Sequence, residues 1–174
     1  LLANTLGAVA DKIFDLSPDL VQTSIAWVGS LAYSFQLFFD FSGYSDMAVG
    51  LGLIFGFHIK DNFNYPYISK SITEFWRRWH MTLGRWLRKY IYIPLGGNRV
   101  PLWKWVINIL IVWLVSGLWH GANWTFILWG LFNGIVLVIE GLPRQLQKKK
   151  DITPTIKKQN QLIDALKTAG TLCL

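Results

Sequence analysis

From Trp105 to Ile139 the chain runs for thirty-five residues without Asp, Glu, Lys or Arg. One straight helix of that length would reach about 50 Å at 1.5 Å per residue. A bilayer's hydrocarbon core is only about 30 Å thick, so the run must tilt strongly, break or turn back. Gly121-Ala122-Asn123, immediately after His120, is the natural place to break. Lys104 flanks one end, and Arg144 with Lys148, Lys149 and Lys150 flanks the other. The positive-inside rule then favours a hairpin with both ends cytoplasmic. Either geometry puts His120 at membrane depth.

Composition agrees with a membrane setting. Charged residues make up 16% of the chain, against about 25% in soluble domains. Ten Trp and six Tyr suit the membrane–water interface. The net charge of +7 lies between apolar blocks, which fits anionic lipid headgroups and argues against nucleic acid as a partner. A single cysteine, Cys173, excludes an internal disulfide. No metal-ligand spacing and no phosphate-binding glycine loop occurs. The opening Leu1-Leu2-Ala3-Asn4 lacks the charged flank and cleavage site of a signal peptide, and both ends are expected to be cuts in a longer protein.

Residues 1–16 have the spacing of an amphipathic helix, closed by Ser17-Pro18. Leu20 to Phe39 is twenty residues without a formal charge, a spanning candidate. Residues 40–57 stay apolar but carry Asp40 and Asp46. An aspartate at the bilayer centre costs about 3 kcal/mol, so these two should face protein, water or an interface and pair with nearby arginines. Residues 58–70 read as a polar connector. Ser71-Ile72-Thr73-Glu74 reads as a capping box opening a helix over roughly 72–92, ended by Pro94 and Gly96-Gly97-Asn98. Residues 141–174 are polar and basic, are interrupted by Pro154, and read as a cytoplasmic loop or tail. The expected fold is all-α: a multi-pass transmembrane helical bundle of which this chain is a fragment. Residues 1–142 form the membrane part and 143–174 the basic tail.

His120 is the only titratable group in the uncharged run, and a polar group at that depth is expensive and usually functional. Desolvation disfavours imidazolium, so the ring is expected to be neutral near pH 7. A neutral imidazole can take a proton from a hydroxyl, or simply hydrogen-bond between helices. His80, in Trp-Arg-Arg-Trp-His, can orient a substrate or sit at the interface among arginines. Arg77, Arg78 and Arg85, with Arg88, can grip the phosphates of a nucleotide-like acyl donor or meet lipid headgroups. Trp79, Trp119 and Asn123 adjoin the two histidines and are further candidates for substrate or donor contact. His58, beside Lys60 and Asp61, reads as a headgroup-level residue without a chemical role.

Three strings, FDFSGYSDMAVGLGLIFGF (39–57), NFNYPYISKSITEFWRRWHMTLGRWLRKYIYIPLGGNR (62–99) and SGLWHGANWTFILWG (116–130), resemble the membrane-bound O-acyltransferase family in order and spacing. The likeness covers about residues 1–142. It is greatest to the branch containing the alginate O-acetyltransferase membrane subunit, by Ser42-Gly43-Tyr44-Ser45-Asp46 and Pro94-Leu95-Gly96-Gly97-Asn98-Arg99. The teichoic-acid D-alanyl-transfer branch is a close relative. Two departures stand out: Lys89 occupies a position often acidic in the family, and 100–107 is short.

The resemblance implies that His120, in Trp119-His120-Gly121, falls at the catalytic histidine and His80 at the second important one. It implies many transmembrane helices around a tunnel, entered by an acyl donor from the cytoplasmic side and by the acceptor hydroxyl from the other. The donor would be acetyl-CoA or another acyl thioester, with no bound cofactor. The acceptor would be an exported polysaccharide, in a bacterial-type inner membrane alongside other polysaccharide-modification proteins. Two other classes fit the same residues: a proton-coupled transporter or exporter subunit, because broken helices and a mid-membrane histidine also suit carriers, and a scaffold within a secretion complex.

Overall fold

The uncharged run turns back where its glycine predicts. In the computed structural model, which describes the backbone of residues 1–171 and the side chains of residues 1–148, α5 (Leu102–His120) and α6 (Trp124–Thr171) are joined by residues 121–123. Cys173 and the side chains beyond Lys148 lie outside the described residues. The chain is all-helical, 77% helix with no strand among the described residues. It divides into two compact units, residues 1–68 with 77–82, and residues 69–76 with 83 onward.

In the second unit, α5 and α6 pack antiparallel along a line of small residues. A Cβ on Gly117 would run into the Phe126 carbonyl, and one on Gly130 into the Trp113 carbonyl. Further along, a Cβ on Gly134 would lie 3.2 Å from Leu110 and Trp113, and one on Gly141 3.0 Å from the Trp105 ring. Backbone-on-backbone approach of this kind holds helices together in lipid, where burial of apolar surface supplies no drive. Both helices are long and apolar enough to cross a membrane: Leu102–His120 has a mean hydropathy of 1.6, and Trp124–Lys148 of 1.8. The backbone of α6 stays helical through Pro143 and Pro154. Asn108, only 1% exposed, donates from Nδ2 to the Leu95 carbonyl at 3.0 Å and ties down the turn after the π-helical residues Arg88–Tyr92.

Ser71 caps as expected, the Glu74 N–H donating to Ser71 Oγ at 3.0 Å to open α3 (Ile72–Arg78), while the Glu74 carboxylate accepts the Lys70 N–H at 3.0 Å. Glu140 of α6 adds a second anchor, its carboxylate accepting the Thr73 N–H at 3.1 Å.

In the first unit, α1 (Leu2–Phe14) packs on α2 (Thr23–Ile54). Instead of stopping near residue 39, α2 is one helix of 32 residues. A Cβ at Gly43 or Gly50 would meet open space, and an isolated helical glycine costs only about 1 kcal/mol, too little to end it. The span expected over 20–39 is not among the two helices that qualify by length and composition; Gln36, Asp40 and several serines dilute the apolar run of α2. The connector doubles back along α2. Ile59 fills the space beside Gly52, Asn62 donates to Ser45 at 3.2 Å, and the Tyr67 hydroxyl donates to the Ser34 carbonyl at 2.7 Å. Burial raises the pKa of Tyr67 above that of an ordinary phenol.

The helix expected over 72–92 is three pieces: α3, then α4 (Met81–Leu87), then the π-helical Arg88–Tyr92. The connector causes the first break by claiming the helix's own backbone groups. The Asn64 N–H donates to the Arg78 carbonyl at 2.9 Å, and the Met81 N–H donates to the Asn62 carbonyl at 2.8 Å. His80, at the break, has φ +46°, a left-handed conformation costing a non-glycine residue roughly 1–2 kcal/mol.

Candidate active site

The two candidate histidines sit in separate units. His120 is the last residue of α5, and the turn at Gly121 brings the start of α6 against it. Its ring meets Trp119 at 4.8 Å, Trp129 edge-on at 5.1 Å and Phe126 in a stack at 5.9 Å between centroids. Behind Trp129 lie Trp113 and Trp76; Trp76 and Trp113 are 4.7 Å apart, and each is 5.8 Å from Trp129. Edge-to-face contacts of this kind are worth about 0.5–1.5 kcal/mol each beyond area burial. The Trp76 indole N–H is buried with no hydrogen-bond partner among the described residues. Asn123 accepts the Thr125 N–H at 3.2 Å and so caps α6, a structural use of a residue carried as a substrate contact.

Among the described residues, neither ring nitrogen of His120 makes a hydrogen bond. The interhelical hydrogen bond weighed for His120 has no partner among the described residues. His120 as a residue is exposed within this chain, because only the first turns of α6 flank the end of α5.

His80 is held by polar atoms. Its Nδ1 lies 3.0 Å from Asn62 Oδ1, which also accepts the Thr82 N–H at 3.1 Å and the Thr82 hydroxyl at 2.7 Å. Phe41 packs against its ring at 4.7 Å. Trp79 turns into an aromatic cluster with Phe63 at 5.0 Å and with Phe38 and Tyr67 at 6.2 Å, which makes it a packing residue of the first unit.

The expected row of arginines is divided. Arg78 donates to the Asn64 carbonyl at 3.2 Å, Arg77 is exposed beside it, and Arg85 is exposed on α4 in the other unit. Asp40 and Asp46 are exposed and form no salt bridge among the described residues, so the expected pairing with arginine is absent; six positions apart on α2, they point to different sides of the helix. Sequence reasoning missed Asn62, Trp129 and Glu140. Trp129 sits nine residues beyond His120, a distance that matters only once the turn at 121–123 is known. Asn62 acts across eighteen residues, for which no local pattern gives a signal.

The chain belongs to the membrane-bound O-acyltransferase family, whose model matches residues 6–165. It is 55% identical over 153 residues to the protein named probable alginate O-acetylase AlgI of Azotobacter vinelandii, covering 88% of this chain and 30% of that one. It is 52% identical over 139 residues to the peptidoglycan O-acetyltransferase of Helicobacter pylori, covering 80% and 26%. A teichoic acid D-alanyltransferase of Streptococcus thermophilus is 37% identical over 137 residues, covering 72% and 32%. The chain thus spans about 30% of the length of these relatives.

Proposed function

We propose that the full-length protein is a multi-pass inner-membrane O-acyltransferase that moves an acetyl group from a cytoplasmic thioester, such as acetyl-CoA, to a hydroxyl of an exported polysaccharide. The observation that carries this reading is His120 at the hairpin turn, walled by Trp119, Phe126 and Trp129, with no hydrogen bond holding its nitrogens among the described residues. Identity of 52–55% to O-acetyl-transferring relatives, against 37% to a D-alanyl-transferring one, supports acetyl as the group. Helices outside this chain would supply the cover that His120 lacks here, and the basic residues from 143 onward would lie on the cytoplasmic side.

In the proposed step, the acceptor oxygen bonds to the thioester carbonyl carbon as its proton passes to a His120 ring nitrogen. The carbon–sulfur bond then breaks, the thiolate leaves, and the imidazolium returns the proton to it. The products are an ester and a free thiol. Asn123 acts in the cap of α6 and Trp119 as a wall; Arg77, Arg78 and Arg85 are donor-side contacts in this reading.

The test is ester analysis of the exported glycan in a deletion strain complemented with the intact gene or its His120→Ala variant. The intact gene restores acetyl ester, and the variant restores none while inserting normally. Ester formation by the variant overturns the role of His120. A change in polymer export without any change in acetylation would instead indicate a carrier.

A further inference from the structure

Between Glu74 and Asp151 the chain carries eleven arginines and lysines and one acidic residue, Glu140. A carboxylate on an apolar helix is expensive to place and needs partners. With so many cations nearby in sequence, an ion pair would be the ordinary solution. Glu140 forms none among the described residues. Its carboxylate instead accepts the Thr73 N–H at 3.1 Å, the Ile72 N–H, and the hydroxyls of Ser71 and Thr73. All of these donors sit at the start of α3, where the main-chain N–H groups have no partner within the helix. Hydrogen bonds to a carboxylate are about twice as strong as neutral ones. Ser71 Oγ accepts the Glu74 N–H, and the same hydroxyl has its proton left to give to Glu140.

The consequence lies one turn further on. Trp76 follows Thr73 by three positions, so the two share a side of α3. The Trp76 ring meets Trp113 of α5 at 4.7 Å and Trp129 of α6 at 5.8 Å. Trp113 and Trp129 are 5.8 Å apart, so the three rings close on one another. Trp129 in turn stands edge-on to the His120 imidazole at 5.1 Å. Residues 69–76, α5 and α6 all belong to one compact unit. The Trp76 indole N–H makes no hydrogen bond among the described residues, so what Trp76 gives the cluster is ring surface.

We propose that Glu140 is a positioning residue for His120. Its carboxylate fixes the start of α3, α3 seats Trp76 against Trp113 and Trp129, and Trp129 is thereby held against the imidazole. Glu140 lies sixteen residues past Trp124 on α6, about 24 Å along the axis, so its influence reaches the imidazole through α3. The effect on transfer rests on the acyltransferase reading above. The structural path from Glu140 to Trp129 does not.

The experiment uses the full-length protein in lipid nanodiscs with 5-fluorotryptophan, Trp129→Phe serving to assign the Trp129 fluorine resonance by its absence. Glu140→Ala should shift or broaden that resonance. It should also lower kcat about 10- to 100-fold with KM for donor and acceptor little changed, as when a distant change displaces a reacting group. Glu140→Gln, whose amide oxygen still accepts the Thr73 and Ile72 N–H groups, should keep the resonance and most of the rate. Trp76→Ala should reproduce the effects of Glu140→Ala, and Trp76→Phe should recover most of what Trp76→Ala loses. The double alanine variant should be no worse than either single one, because two residues on one path do not add. An unmoved Trp129 resonance in Glu140→Ala overturns the proposal, as do a wild-type kcat in that variant and additive losses in the double variant. Should Glu140→Ala fail to fold, an unmoved resonance in Trp76→Ala overturns it equally. His120→Ala tests the acyltransferase reading separately: transfer by that variant sinks the role of His120, while the Trp129 resonance still reports whether Glu140 sets the cluster.

Discussion

Around residue 120 the imidazole is surrounded by rings; around residue 80 it is surrounded by hydrogen-bonding atoms. His120 leans on Trp119, Phe126 and Trp129, and its nitrogens are engaged by nothing among the described residues. His80 is tied through Nδ1 to an amide oxygen that also holds the next turn of helix. Ring contacts fix where an imidazole sits without consuming its proton-transfer capacity. A hydrogen bond fixes which nitrogen is basic. A group that must gain and lose a proton suits the first arrangement, and a group that must hold another molecule in one orientation suits the second.

Kinetics of the full-length protein give the sharpest test of that contrast. His120→Ala should lower the rate of transfer about 10²- to 10⁴-fold, the range for loss of a general base, with KM for the acceptor little changed. His80→Asn, which tolerates the left-handed backbone, should raise acceptor KM more than it lowers kcat. Equal kcat losses without a KM effect would erase the distinction. Next in size is Gly130→Leu. A side chain there meets the Trp113 carbonyl, so it should destabilise by about 3 kcal/mol, read as a lower midpoint in thermal unfolding in detergent, with activity falling as the hairpin opens. An unchanged midpoint would mean that α5 and α6 are not in backbone contact.

Smaller is a comparison at one position. Both His80→Gly and His80→Ala lose the imidazole, but glycine accepts φ +46° without strain. His80→Gly should therefore be the more stable of the two by about 1 kcal/mol, and equal stability would argue against a strained break. The smallest effect is expected at Asn123. Replacement by Ala should cost about 1 kcal/mol of stability through loss of the α6 cap, and replacement by Ser much less. A large rise in acceptor or donor KM in Asn123→Ser would restore Asn123 as a binding residue.

How far the sequence could be read follows from the range over which each residue acts. The hairpin was legible because the length limit on a membrane helix and the glycine after His120 are both local. The Ser71 cap was legible because it acts over three residues. The single helix expected over 72–92 follows from the same local logic and fails, because Asn62 and Asn64 compete for its backbone from far along the chain. The reach of α2 was underestimated because the spanning candidate was bounded by charge, at Asp40, and a single charged residue does not end a helix. The aromatic wall of His120 and the polar socket of His80 both join residues that pattern alone keeps apart.

Where Gly117 and Gly130 face each other, main chain touches main chain. A contact made by side chains can relax by changing rotamer, whereas two touching backbones have no torsion to yield. The spacing of the two helices is therefore a fixed length, and it is set one turn from His120 and immediately beside Trp129. Any enlargement at that point moves His120 and its aromatic wall apart together, so the tolerance of that arrangement is decided by two residues that have no side chain at all.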